Sequence, residues 1–106
     1  MGINAPFYPF TDNGIEMATT LDGVYCLYDG SETIFIGKGE GEEGIQGRLK
    51  LHQAGFESYC TMRATYYNYE ICSDPYHLEI ELLTEHKNLF GKLPRCNNII
   101  QSYSNP

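Results

Sequence analysis

The sequence predicts a small α+β domain in which a three-stranded antiparallel sheet is flanked by helices. Three observations carry that prediction. Two short runs rich in β-branched and aromatic residues, Gly23-Val24-Tyr25-Cys26-Leu27-Tyr28 and Thr33-Ile34-Phe35-Ile36-Gly37-Lys38, are separated by the turn residues Asp29-Gly30-Ser31-Glu32 and read as a β-hairpin. A third dense run of β formers spans residues 63–72. Asp74-Pro75 then supplies an N-cap acceptor followed by a proline at the first helical position, and Gly91 supplies a stop, so a helix is expected over 75–90.

Taken in order, residues 1–22 hold Pro6, Pro9 and Asn13-Gly14, which break regular structure. Phe7, Tyr8 and Phe10 are apolar enough to pack on the body, so an ordered arm with a helical turn near 15–18 is expected. In the hairpin, the period of two puts Val24, Cys26 and Tyr28 on one face and Tyr25 and Leu27 on the other, with Ile34 and Ile36 opposite Phe35. Tyr25 and Phe35 then share a face. The loop 39–44 matches Gly-x-Gly-x-x-Gly, but its three glutamates would repel a pyrophosphate and the chain is too short for the fold that motif serves. A helix follows over 44–54. Arg48 and His52 lie four apart on it, beside Ile45 and Leu49 on the stripe that turns inward. Tyr66, Tyr67 and Tyr69 of the third strand read as core and sheet-face aromatics, because no basic residue beyond Arg63 interleaves them for base stacking. On the 75–90 helix Leu78, Leu82, Glu85 and Leu89 fall on one stripe, and a carboxylate there needs water, a partner or a cation. The tail, 98–106, is polar and expected to fray after Ile100.

At 106 residues the chain is one domain, large enough for a core without staples. It has no apolar run long enough to span a membrane and no basic-then-apolar leader, so an intracellular, cytoplasmic protein is expected. Cys26, Cys60, Cys72 and Cys96 form no Cys-x-x-Cys pair and are expected as reduced, packed thiols; a zinc site with His52 or His86 has no ligand spacing behind it. The net charge of −7 opposes non-specific nucleic-acid binding. Yet Lys38, Arg48 and Lys50, three of the seven basic residues, fall between residues 23 and 52.

In this same stretch the chain resembles the GIY-YIG nuclease domain. Gly23-Val24-Tyr25 stands for the first tripeptide and Phe35-Ile36-Gly37 for the second, and the series continues through Lys38, Arg48, His52, Glu85 and Asn97. It is most similar to the version in the bacterial excision-repair endonuclease subunit, whose ending looks like Leu82-Leu83-Thr84-Glu85-His86 through Pro94-Arg95-Cys96-Asn97. The resemblance implies a GIY-YIG-like catalytic domain over 23–97 between an arm (1–22) and a tail (98–106). It implies a DNA-cutting, metal-dependent endonuclease of the repair type, with Mg²⁺ or Mn²⁺ on Glu85. Arg48 and Lys38 would face phosphate, His52 would relay a proton or hold phosphate, and Asn97 would position the site. Tyr25 would be the general base, its phenol pKa lowered by those cations. The acidic chain would bind DNA weakly alone or borrow affinity from a protein partner. Phe35 departs from the family's tyrosine, which leaves a second implication open: a weakened module that binds nucleic acid or a protein.

Overall fold

The computed structural model describes residues 2–97; the expectation for the 98–106 tail lies outside them. Four antiparallel strands form one sheet in the order β1-β4-β2-β3. They are β1 (Tyr8–Pro9), β2 (Gly23–Asp29), β3 (Glu32–Gly39) and β4 (Tyr66–Ile71). The fourth strand corrects the expected count of three. It comes from the N-terminal arm, where Tyr8 and Pro9 pair with Tyr67 and Tyr66. A proline is tolerated there because β1 is the outermost strand and one side of it has no ladder to supply.

Helices α1 (Asp12–Glu16), α2 (Gly44–Gln53) and α3 (Pro75–Phe90) pack around the sheet. Thr11 caps α1 by accepting from the Gly14 N–H at 3.1 Å. Asp74 caps α3 and Gly91 ends it in the left-handed conformation, as the sequence predicts. A short 3₁₀ turn, Thr61–Arg63, leads into β4.

The sheet is covered on both faces. Tyr25, Leu27 and Phe35 pack with Ile45 and Leu49 of α2 and with Phe10 and Ile15 of the arm. Val24, Cys26, Tyr28 and Ile36 pack with Leu82 of α3 and with Ile3. The expected alternation therefore holds along β2. It breaks once in β3: a bulge opposite Leu27 and Tyr28 moves Ile34 into the cluster containing Phe35.

Cys60 and Cys96 form a disulfide across 36 residues, which corrects the expectation of four free thiols; Cys26 and Cys72 remain free. The bond ties the segment between α2 and β4 to the one after α3. Disulfides persist in oxidising compartments and are uncommon in a reducing cytosol, so this bond pulls against the cytoplasmic expectation. No helix among the described residues is long and apolar enough to cross a membrane.

Candidate active site

Because β3 is an outer strand, its free edge opens between α2 on one face and α3 on the other. A cleft of about 410 Å³ lies there, lined by Phe35, Gly37, Lys38, Arg48, Glu79 and Asn97, with Glu40 and Glu57 at its walls. Three of the expected site residues, Lys38, Arg48 and Asn97, thus meet in one hollow.

Asn97 is held there by the strand edge. Its side-chain amide accepts from Ile36 N–H at 2.9 Å and donates to Ile36 C=O at 3.0 Å, the pairing a further strand would have made. The neighbouring Arg95 reaches Glu32 at 2.6 Å and Asp29 at 3.1 Å, and Cys96 carries the disulfide. Three consecutive residues therefore fasten the segment to the hairpin and to the 3₁₀ turn.

Tyr25 and His52 lie beneath the cleft, both fully buried. Opposite Tyr25 in the ladder is Gly37. A Cβ at 37 would stand 2.7 Å from the Tyr25 hydroxyl and 2.5 Å from the Phe35 ring, so only glycine leaves room for the phenol. The hydroxyl contacts His52 Nε2 at 2.6 Å, and His52 Nδ1 contacts Thr61 Oγ1 at 2.9 Å. Thr61 donates its own proton to the Ser58 carbonyl at 3.2 Å. It must then accept from Nδ1–H, which leaves Nε2 to accept from Tyr25. Thr61 is a residue the sequence did not single out; its only signal is a position nine residues beyond His52 in irregular chain.

The electrostatics correct one expectation. Burial raises the Tyr25 pKa above the ordinary tyrosine range, and the Arg48 charge beside it only partly offsets this. Burial, with Arg48 adding to it, pushes His52 down to about 3. The pair is neutral at neutral pH, so the phenol is not pre-ionised by its cations. Arg48 itself stays charged: burial opposes its charge, but Tyr25, Glu57 and Glu79 around it more than compensate. Its Nη2 meets Glu57 at 3.1 Å, while its Nε is buried with no partner among the described residues.

Glu85 does not join this group. It is exposed, accepts from the Gly2 N–H at 2.7 Å, and lines a separate hollow with Ile3, Cys26, Leu82 and Leu89. The stripe of Leu78, Leu82 and Glu85 faces β2 and the arm, whereas the β3 edge meets the adjacent strip of α3, which carries Glu79 and Leu83. Glu79 is the carboxylate that α3 contributes to the cleft. Burial raises its pKa, with Lys38 and Arg48 pulling it back. Glu79 and Leu83 are four apart, a spacing that marks a shared strip in the sequence.

No protein-family model matches the chain, and no curated protein is significantly similar to it. The site therefore rests on its own geometry. Among the described residues no three His, Cys, Asp or Glu side chains cluster as a ready-made metal cage. A single carboxylate does suit Mg²⁺, which keeps several waters and takes only one or two protein ligands beside substrate phosphate. Glu79 makes no ion pair within 4.0 Å among the described residues, so its oxygens are not committed to a cation of the chain.

Proposed function

We propose that the cleft at the β3 edge is a metal-assisted site for hydrolysing phosphodiester bonds in DNA, of the GIY-YIG type suggested by the motif series. The observation that carries this reading is the convergence of Lys38, Arg48, Glu79 and Asn97, from four separate segments, around Phe35 and Gly37, which pack on the buried Tyr25–His52 pair. Glu79 takes the metal-ligand role that the sequence resemblance gave to Glu85. A bound Mg²⁺ or Mn²⁺ would supply Lewis acidity to the scissile phosphate and its leaving oxygen.

The chain's own residues do the rest. Arg48 presents a fixed, permanently charged fork to phosphate oxygens, and Lys38 adds a second positive point. Tyr25 acts as a proton-passing hydroxyl: it accepts a proton from the attacking water as its own proton moves to His52 Nε2. Neither group then has to be charged beforehand, in keeping with the neutral pair. Phosphate bound on Arg48 offsets one of the two effects that hold the imidazole pKa down. Thr61 fixes the His52 tautomer this transfer requires. Asn97 holds Ile36, and hence Gly37, in place above the phenol.

Phe35 favours a second reading. It lines the cleft without the hydroxyl that the resembled family's tyrosine would offer the attacking water, and a module that binds without cutting fits that loss. A cleavage assay on branched, duplex and single-stranded DNA with Mn²⁺ separates the two. The first reading expects cleavage by the wild type, loss of at least ~100-fold in Glu79→Ala and Arg48→Ala, and a gain in Phe35→Tyr. Binding without cleavage in both the wild type and Phe35→Tyr would sink the enzyme reading.

A further inference from the structure

Both cations of the cleft are held by the chain's own acids. Glu57, from the loop after α2, meets Arg48 at 3.1 Å, and Glu40 meets Lys38 at 2.8 Å. Glu57 is the better seated, its side chain 16% exposed against 48% for Glu40. A carboxylate offers a guanidinium the same paired anionic oxygens as a phosphate does. Of the Arg48 guanidinium, Nη2 is engaged by Glu57, and the buried Nε has no hydrogen-bond partner among the described residues.

We infer that Glu57 and Glu40 are internal substrate mimics that a phosphodiester must displace, and that a divalent cation on Glu79 favours this exchange by offsetting the charge of the acids. This rests on the cleft being a phosphate site. Three acids face two bases in one hollow, so without a cation the cleft is net negative and repels phosphate. A divalent cation reverses the sign. It also offsets the charge of the displaced carboxylates. Phosphate and cation therefore bind cooperatively, each raising the other's affinity by the same factor. The two ion pairs are solvent-accessible enough to open, because such pairs contribute little individually. Glu57 and Glu40 thus act as specificity-determining residues, admitting a phosphate that arrives with a divalent metal and rejecting a bare anion.

The test is the affinity of a short fluorescein-labelled DNA duplex, read by anisotropy in EDTA and in Ca²⁺, for wild type, Glu57→Gln, Glu40→Gln and Arg48→Ala. Wild type should bind ~10-fold tighter with Ca²⁺. Glu57→Gln should bind ~5-fold tighter than wild type in EDTA and lose most of the Ca²⁺ gain, and Glu40→Gln should move the same way by less. Glu57→Ala should agree with Glu57→Gln, and thermal melts of each variant report whether it is folded. Weakened binding in Arg48→Ala with no tightening in either Glu57 variant would overturn the inference while leaving the phosphate site standing. Unchanged binding in Arg48→Ala would remove the phosphate site and the inference with it.

Discussion

His52 should make the fold sensitive to acid in a way that its removal abolishes. The imidazole is fully buried between Tyr25 and Thr61, and burial holds its pKa at about 3 against an ordinary 6.5. Because the folded value lies below the unfolded one, His52 costs nothing above pH 6.5, where both states are neutral. Below it the unfolded chain takes up a proton that the folded chain refuses, so stability falls as pH falls, down to about pH 3. Each pH unit in that window removes ~1.4 kcal/mol, so ~2 kcal/mol is lost between pH 6.5 and pH 5. The full window amounts to roughly 4–5 kcal/mol, comparable with the whole stability of a small domain. Urea unfolding followed by far-UV circular dichroism at pH 7, 6 and 5 measures this, compared with His52→Gln. The variant should be less stable at pH 7 and should show a pH slope shallower by about one proton. Parallel slopes for the two proteins would refute the buried neutral imidazole and, with it, the direction of the Tyr25–His52 hydrogen bond.

Two further outcomes follow from the same packing. Gly37→Ala places a methyl against the Tyr25 hydroxyl and the Phe35 ring, and should cost ~1–3 kcal/mol in urea unfolding while lowering DNA cleavage more than DNA affinity. Reducing the Cys60–Cys96 bond, or replacing both cysteines by serine, should lower stability by ~2–4 kcal/mol, given the 36-residue separation; amide exchange at Ile36 should rise as Asn97 loosens from the strand edge.

Local chemistry made much of this fold legible. The hairpin announced itself by alternation around Gly30, and α3 by Asp74-Pro75 and Gly91, because caps and turns act within a few residues. Strand β1 was not legible, since two residues carry no period and its pairing depends on where β4 lies. The disulfide joins cysteines 36 apart, a partnership set by tertiary proximity. Lys38, Arg48 and Asn97 are named by the motif series that the chain resembles, and they meet in the cleft. Glu85 lies outside the cleft because the apolar stripe of α3 identifies the strip facing the sheet interior, whereas the cleft meets the neighbouring strip, which carries Glu79. The sign of the Tyr25 shift was misjudged for a related reason: the sequence displays the charges near a phenol but not the depth of its burial, and burial is the larger effect.

The most direct measurement is anomalous diffraction from a crystal soaked in Mn²⁺ together with a short oligonucleotide. A manganese peak is expected ~2 Å from a Glu79 carboxylate oxygen, with a phosphate between it and Arg48. A peak on Glu85, or phosphate bound away from Arg48 with no metal at Glu79, would contradict it.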